Sequence, residues 1–217
     1  MVSASIIETL HQADQEATLW LNSLSVPWTD NMWIMFSDIA FWIPAYIICI
    51  LFVFKMLGWK KALVVIASAV LAFALCDQLS NLVKHSVTRL RPSYSLRMIE
   101  GGLNILEKRG GFYGFFSAHA ANAFSLATCL SIGFRNDNTR SYNAFRGFSM
   151  LWASLVSVSR VFVGKHYLGD ILVGAMIGIT IGYLMGRLSR FVIRKYIDRI
   201  PSTVREESFP SGSPSIP

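Results

Sequence analysis

Apolar residues occur along the chain in long runs that short polar stretches separate. Five of these runs contain roughly the 20 residues that an α-helix needs to cross the hydrocarbon core of a bilayer. They cover about residues 32–54, 62–83, 115–134, 145–163 and 169–188. The pattern therefore predicts an all-α fold, a polytopic membrane helical bundle with about five transmembrane helices.

The two ends of the chain differ from these runs. Apolar residues recur at helical spacing over residues 4–24, but charged and other polar residues interrupt them too often for a membrane span. We therefore expect residues 1–30 to form an amphipathic helix that lies in the membrane interface. The stretch from Pro201 is rich in Ser and Pro and predicts a disordered tail over 201–217, which leaves 1–200 as a single domain.

Composition agrees with a membrane protein. With 53% hydrophobic residues and a mean hydropathy of +0.45, the chain of 217 residues is too apolar for an ordinary soluble domain. A net charge of +7 is also found in nucleic-acid-binding proteins, but a basic membrane protein holds its excess Lys and Arg in cytoplasmic loops. We expect the bilayer, and no nucleic acid, as the partner. Cys49, Cys76 and Cys129 all lie in apolar runs, which argues against a disulfide framework or a metal cluster.

Charges between the predicted spans indicate the orientation. Five spans place the termini on opposite sides, and the side of the C-terminus carries Lys55, Lys60, Lys61, Arg135, Arg140, Arg146, Arg187, Arg190, Arg194, Lys195, Arg199 and Arg205. By the positive-inside rule this side is cytoplasmic. We therefore expect an inner-membrane protein with a cytoplasmic C-terminus and with the candidate site described below on the outer, periplasmic face.

A stripe of glycines marks the last predicted span. Gly174, Gly178, Gly182 and Gly186 recur every four residues and so share one face of a helix. The stripe predicts close helix packing, either inside the protein or at a dimer seam.

The stretch between the last two predicted spans carries candidate chemistry. Arg160 ends one apolar run, His166 precedes the next, and Asp170 follows His166 by four residues. Residues four apart share a face of a helix, so Asp170 can hold the His166 imidazole in one tautomer and make it a better nucleophile or base. Beside a cation and a membrane, this pair indicates phosphate chemistry on a lipid.

Two further pieces converge on the same membrane face if the span count is right. The piece from Lys84 to Pro92 leaves the second span and supplies cations. The piece from Ser117 to His119 opens the third span, where unpaired backbone N–H groups and the helix dipole favour an anion. Together the three pieces offer an anion cradle and two histidines.

These residues resemble the signature of the type 2 phosphatidic acid phosphatase (PAP2) superfamily of lipid phosphatases. Lys84 with Arg91-Pro92 matches its first motif, and Ser159-Arg160 with His166 and Asp170 matches its third motif, both at full spacing.

The middle motif of the family, Pro-Ser-Gly-His, is altered in this chain. Phe116 replaces the proline and Ala118 replaces the glycine, whereas Ser117 and His119 remain. A serine hydroxyl and a backbone N–H survive the change.

The resemblance implies a role for each matching residue. His166 would be the nucleophile that carries a transient phosphohistidine, Asp170 would orient it, and His119 would act as general acid. The phosphoryl oxygens would be held by Lys84, Arg91, Ser117, the Ala118 amide and Arg160. The scheme requires no metal and no cofactor.

Two features stay open at this stage. Arg89 either assists a second phosphate or only meets lipid headgroups. Residues 84–114 form either an active-site loop that lies on the membrane over the site or a plain solvated connector.

The resemblance implies an integral membrane lipid phosphatase that hydrolyses a terminal phosphomonoester or pyrophosphate. An outward site favours recycling of a carrier lipid or trimming of lipid A, because those phosphates are exposed there. We expect undecaprenyl pyrophosphate as substrate, with lipid A 1-phosphate, phosphatidylglycerophosphate and phosphatidic acid as alternatives. A lipid phosphoryl or phosphoethanolamine transferase would use the same histidine with an acceptor other than water. A non-catalytic protein that only binds anionic lipid headgroups is the third interpretation, and the oligomeric state stays open.

Overall fold

The computed structural model of the chain describes residues 2–198. Within this range the chain is helical and forms no strand, which confirms the predicted all-α class. The helices are α1 (Val2–Ser23), α2 (Pro27–Ser37), α3 (Ile43–Val87), α4 (Leu96–Glu100), α5 (Ala118–Gly133), α6 (Asn143–Phe162) and α7 (Leu168–Val192). A π-helical turn, Ile193–Ile197, extends α7. The tail predicted over 201–217 lies outside the described residues and stays a prediction.

The long helix α3 changes direction at Gly58. This residue has φ 72° and ψ 161°, a conformation outside the helical region that glycine adopts without a steric cost. The segment before it brings the Phe52 ring to 5.5 Å from the ring of Phe134, beyond the C-terminal end of α5. The segment after it runs to the opposite end, where the Ser80 hydroxyl donates to the Phe116 carbonyl at 3.1 Å. Gly58 therefore divides α3 into two segments that meet at one end of the bundle.

Two helical stretches among residues 2–198 are long and apolar enough to cross a membrane. They are Ala40–Val87 and Leu168–Ile197, which contain 18-residue windows with mean hydropathies of 2.2 and 1.8. Since Gly58 divides the first stretch, both predicted spans 32–54 and 62–83 fall largely within it. The count of five spans stays a prediction.

The first predicted span, 32–54, is wrong as a continuous helix. α2 ends at Ser37, and Asp38 at its C-cap has the extended values φ −85° and ψ 118°. The Asp38 carboxylate then accepts the Ala40 N–H at 3.0 Å, which starts a short 3-10 turn before α3. The N-terminal helix also stops at Ser23 rather than near residue 30, and Pro27 begins α2.

Helix α5 lies between α3, α6 and α7. The glycine stripe of α7 faces it: a Cβ atom on Gly174 would lie 2.6 Å from the Ser117 carbonyl oxygen, and one on Gly178 would overlap the Ala121 backbone. The stripe is therefore buried inside the chain, which confirms close internal packing and leaves no dimer seam along it.

The outer surface of the bundle is apolar. Large exposed side chains on α3 and α7 include Ile48, Leu51, Val70, Leu82, Leu172 and Met176. A belt of this kind is typical of helices that face lipid.

Candidate active site

The turn between α6 and α7 positions His166 and Asp170. Gly164 in this turn has φ 77°, and a Cβ atom there would lie 2.8 Å from the Asn104 carbonyl oxygen. This position therefore requires glycine. His166 is 2% exposed and Asp170 is fully buried. The Nδ1 atom of His166 lies 3.3 Å from Oδ2 of Asp170. A carboxylate only accepts, so this contact assigns the ring proton to Nδ1 and leaves a lone pair on Nε2.

Asp170 is held from two directions. Its Oδ2 accepts the Tyr167 N–H at 3.1 Å, and its Oδ1 accepts from Arg89 Nη1 at 2.7 Å. The other guanidinium nitrogen, Nη2, donates to Asp14 Oδ2 at 2.6 Å, and Asp14 Oδ1 accepts the Gly169 N–H at 2.7 Å. The guanidinium also lies 4.0 Å from the centre of the Tyr167 ring. Arg89 thus binds two carboxylates of the protein. This arrangement supports neither of the two roles considered from the sequence, which were binding of a second phosphate and contact with lipid headgroups.

The start of α5 supplies Ser117, Ala118 and His119. Ser117 is the N-cap, and its hydroxyl oxygen accepts the Ala120 N–H at 3.4 Å, which leaves the hydroxyl proton free to donate. The Ala118 N–H lies in the first turn, where no intrahelical acceptor exists. His119 is half-buried, and its ring has no hydrogen-bond partner among residues 2–198.

The replaced residues of the middle motif fit the packing. The Phe116 side chain is fully buried in a cluster with Cys76 and Ala121. The Ser117 N–H donates to the Asp170 carbonyl at 3.1 Å. This bond ties the start of α5 to the first turn of α7, so the two histidine-bearing segments are joined directly.

Three predicted cations surround these groups. Lys84, in the last turn of α3, forms no ion pair with any described residue. Arg91 Nε donates to the Tyr113 carbonyl at 3.1 Å. Arg160 is 5% exposed and donates to the Ser37 hydroxyl, while its Nε is buried without a partner among the described residues. A buried, unpaired guanidinium N–H is a donor suited to an anion.

Gly114 shows how tightly the pieces converge. A Cβ atom there would lie 3.0 Å from Arg91 Cγ, 3.4 Å from Asp170 Oδ2 and 3.6 Å from His166 Nδ1. The charges of Arg160, Lys84 and Arg91 act on both His119 and His166. All the site residues predicted from the sequence therefore meet at one end of the bundle.

The electrostatics favour a neutral His166. Burial lowers the pKa of its imidazole well below the ordinary value, and the positive charges of Arg160, Arg91, Lys84 and Lys165 lower this pKa further. Burial also lowers the pKa of Arg91, against the opposing charge of Asp170. The site therefore combines an uncharged imidazole with an excess of positive charge around it.

Several residues of the site were missed by the sequence analysis. Glu107 lies 3.6 Å from both Arg160 and Lys165 and also accepts from the Ser37 hydroxyl. No signal in the sequence links this loop carboxylate to Arg160. Glu107 therefore balances part of the positive charge in the site.

The sequence of α1 contains a pattern of polar residues that indicates an inward-facing side. His11, Asp14, Thr18 and Asn22 recur every three or four residues and so share one face of the helix. Thr18 accepts the Leu168 N–H at 2.9 Å, and the Asn22 side chain donates to the carbonyls of α6 at 3.0 Å. These polar residues face the bundle and support the His166 turn.

The segment predicted as loop 84–114 starts later, because α3 continues to Val87. Met98 in α4 and Leu103 are buried against Leu19 and Tyr167. The interpretation as a plain solvated connector is therefore wrong, since the segment packs against α1 and the His166 turn.

Among the described residues, no group of three His, Cys, Asp or Glu side chains is arranged to hold a metal ion. The absence of a metal requirement stays a prediction.

Comparisons with known proteins agree with this architecture. A sequence model of the PAP2 superfamily matches residues 59–194. The chain is 33% identical over 199 residues to the lipid A 4'-phosphatase of Bacteroides thetaiotaomicron, which covers 91% of this chain and 84% of the relative. It is 28% identical over 192 residues to the lipid A 4'-phosphatase of Porphyromonas gingivalis, which covers 88% of this chain and 79% of the relative.

Its fold is similar to the crystal structure of the first transmembrane PAP2 type phosphatidylglycerolphosphate phosphatase from Bacillus subtilis. The TM-score is 0.64 at 19% identity, over 88% of this chain and 90% of the other. The matched superfamily range contains every site residue predicted from the sequence.

Proposed function

The chain belongs to the PAP2 superfamily, and from this premise we propose that it removes the 4'-phosphate of lipid A through a phosphohistidine intermediate. The coarser part of this statement is established by the comparisons: the protein is a membrane lipid phosphatase, a hydrolase that acts on phosphoesters. The observation that carries the proposed mechanism is the buried His166, whose Nδ1 faces Asp170 at 3.3 Å among several cations.

In the first chemical step, His166 Nε2 attacks the phosphorus. The N–P bond forms and the bond from phosphorus to the ester oxygen breaks. His119 gives its proton to the leaving oxygen, which becomes a free hydroxyl of the lipid. Asp170 stabilises the positive charge that the His166 ring acquires.

In the second step, water attacks the phosphorus and His119 accepts a proton from it. The N–P bond breaks, inorganic phosphate leaves and His166 regains its lone pair. In both steps the phosphoryl oxygens are held by Lys84, Arg91, Arg160, the Ser117 hydroxyl and the Ala118 N–H. The unpartnered Nε of Arg160 supports this assignment.

The choice of lipid A rests on the relatives. Both relatives described above are named lipid A 4'-phosphatases, and the alignments extend over most of each protein. Undecaprenyl pyrophosphate, which the sequence analysis favours, has no support from these names and stays an untested alternative.

We also propose that the site faces the periplasm. The cations Arg135, Arg146 and Arg190 lie at the end of the bundle opposite to His166, where the C-terminal part of α7 ends. The positive-inside rule assigns that end to the cytoplasm. Lipid A phosphates are accessible from the outer face of the inner membrane.

A phosphate-release panel tests the substrate. Purified protein would be incubated with lipid A bisphosphate, undecaprenyl pyrophosphate, phosphatidylglycerophosphate and phosphatidic acid, with and without EDTA. The lipid products would be identified by tandem mass spectrometry, because their fragments show which sugar has lost its phosphate. We expect free phosphate and a lipid A product that keeps its 1-phosphate. If undecaprenyl pyrophosphate is hydrolysed faster than lipid A, it becomes the better substrate assignment. A phosphorylated acceptor without free phosphate would indicate a transferase.

The nucleophile is tested by His166→Ala. This variant should lose turnover by about 1,000-fold or more, because no other group can attack from its position. His85→Ala is the matched control, since His85 lies exposed next to Lys84 and outside the site. Equal activity of the two variants would refute the proposed role of His166.

A further inference from the structure

A second cluster of cations lies at the end of the bundle opposite to His166. It surrounds a cavity of about 370 Å³ between the C-terminal end of α5, the start of α6 and the end of α7. Its lining includes Arg135, Arg140, Arg146 and Arg190, and we refer to it as the arginine cavity. None of these residues takes part in the proposed phosphatase mechanism.

The positive charge of the arginine cavity is largely unmatched. Asp137 is the one acid among the described residues that line it, and its oxygens already accept from Thr139 at 2.6 Å and from the Tyr142 hydroxyl at 2.5 Å. Arg135 and Arg146 form no ion pair within residues 2–198, and Arg190 has a buried Nε without a hydrogen-bond partner there. An anion in the cavity would supply the missing partner for these donors.

The backbone also contributes partial positive charge to the arginine cavity. Helix α6 begins at Asn143, which lines the cavity, and Tyr142 at the N-cap forms no side-chain cap bond. The start of this 20-residue helix, where the first N–H groups have no intrahelical acceptor, therefore borders the same space as the arginines. The positive-inside rule predicts cations in the flanking loops, but it does not predict a cavity in which guanidinium groups and a helix start converge.

We propose that the arginine cavity binds a phosphate group, that of an anionic phospholipid headgroup. A neighbouring cleft shares Arg190 and is lined by Arg187, Phe191 and Arg194. Phe191 is 58% exposed and Phe148, two residues after Arg146, is 70% exposed. Acyl chains can lie along these apolar side chains while the headgroup phosphate occupies the cavity.

Thermal unfolding in lipid discs tests this site. The wild-type protein would be placed in discs of phosphatidylcholine alone and in discs with added phosphatidylglycerol, and inorganic phosphate would be added to the first set as a soluble source of the same group. Phosphatidylglycerol should raise the Tm by about 5 °C. A double variant, Arg146→Gln with Arg190→Gln, should lose most of this rise.

The matched control is Lys55→Gln with Lys60→Gln, which removes two exposed charges from the same end of the bundle but outside the cavity. A second pair, Arg135→Gln with Arg146→Gln, changes only exposed side chains and serves if Arg190 is needed for folding. Hydrolysis of an aryl phosphate reports whether each variant is folded, and it should be unchanged because the cavity lies far from His166.

The outcomes separate clearly. A rise with phosphatidylglycerol that depends on the arginines supports the lipid, and a rise with inorganic phosphate alone that has the same dependence supports a soluble phosphate instead. An equal rise in the arginine and lysine variants, or no rise in the wild-type protein with either compound, overturns the proposal. If the wild-type protein does not hydrolyse lipid A, the proposed function is refuted. The result on lipid binding in the arginine cavity would still stand.

Discussion

Arg89 joins three parts of the chain through one guanidinium group. It binds Asp170 of α7 and Asp14 of α1 while lying on the Tyr167 ring. Because Asp170 in turn faces His166, Arg89 contacts the proposed nucleophile through a carboxylate. We therefore treat it as a positioning residue.

The change Arg89→Gln should lower kcat by about 100-fold and leave KM nearly unchanged, because a misplaced Asp170 disturbs the attack but not substrate binding. Steady-state kinetics on lipid A and on an aryl phosphate would measure both constants. Asp14→Asn keeps an acceptor for the Gly169 N–H and should lose less activity. A rise in KM with unchanged kcat would instead mean that Arg89 binds the substrate phosphate.

The lowered pKa of His166 predicts the pH profile. Protonation would remove the Nε2 lone pair, so kcat/KM for an aryl phosphate should stay constant as the pH falls through the ordinary histidine range near 6.5 and decline only below it. Lys165→Met removes one of the nearby positive charges, which should raise the pKa of His166 and move the acid limb toward neutral pH.

The control for this profile is Arg97→Met. Arg97 is an exposed cation of α4 that pairs with Glu16 at 3.6 Å, and it is not among the four cations that lower the pKa of His166 most. Its removal should leave the acid limb in place. An acid limb at the ordinary histidine pKa in the wild-type protein would contradict the electrostatic description of the site.

The sequence alone could predict the residues that lie close to one another in the chain or in a motif. His166 and Asp170 are four residues apart, and Ser117 begins a helix with His119, so their relation follows from helix geometry. Glu107 and Asp14 could not be assigned in this way. Their contacts with Arg160 and Arg89 depend on how distant segments pack, which a local pattern does not encode.

At the scale of elements, the contact between α5 and α7 depends on the absence of side chains on one face of α7. A Cβ atom on Gly178 would overlap the Ala121 backbone, which cannot move as a flexible side chain would. Gly178→Ala should therefore lower the free energy of unfolding by about 1–3 kcal/mol. Thermal or denaturant unfolding in a single detergent would measure it.

Gly147 provides the opposite case on α6, because a Cβ atom there meets nothing within 4 Å. Gly147→Ala should raise the free energy of unfolding by about 0.5–1 kcal/mol through helix propensity. Equal effects of the two alanine substitutions would show that the α5–α7 packing is looser than described.

Helix existence could be predicted well, but helix boundaries could not. Hydrophobic runs located α5, α6 and α7, since their apolar faces are long. The end of α2 before Asp38 could not be predicted from these runs, because apolar residues continue on both sides of it. The change of direction at Gly58 follows from a single backbone conformation that composition does not reveal.

At the scale of the whole molecule, the predicted five spans place the C-terminus in the cytoplasm and the N-terminus outside. Alkaline phosphatase fused to the C-terminus should be inactive, and a fluorescent protein fused there should mature, because the first requires the periplasm and the second the cytoplasm. The same reporters joined to the N-terminus should give the reverse result. Both termini on one side would require an even number of spans.

Because α1 has an apolar outer side and a polar inner side, we expect activity to depend on the lipid or detergent that surrounds it. The outward side chains Ile6, Ile7, Leu10 and Trp20 are all more than half exposed, and we expect lipid or detergent to cover them. The opposite side of the same helix holds Asp14 against Arg89. Solubilisation that leaves this outer side poorly covered will loosen that ion pair, and turnover will then vary between preparations whose remaining bundle is intact.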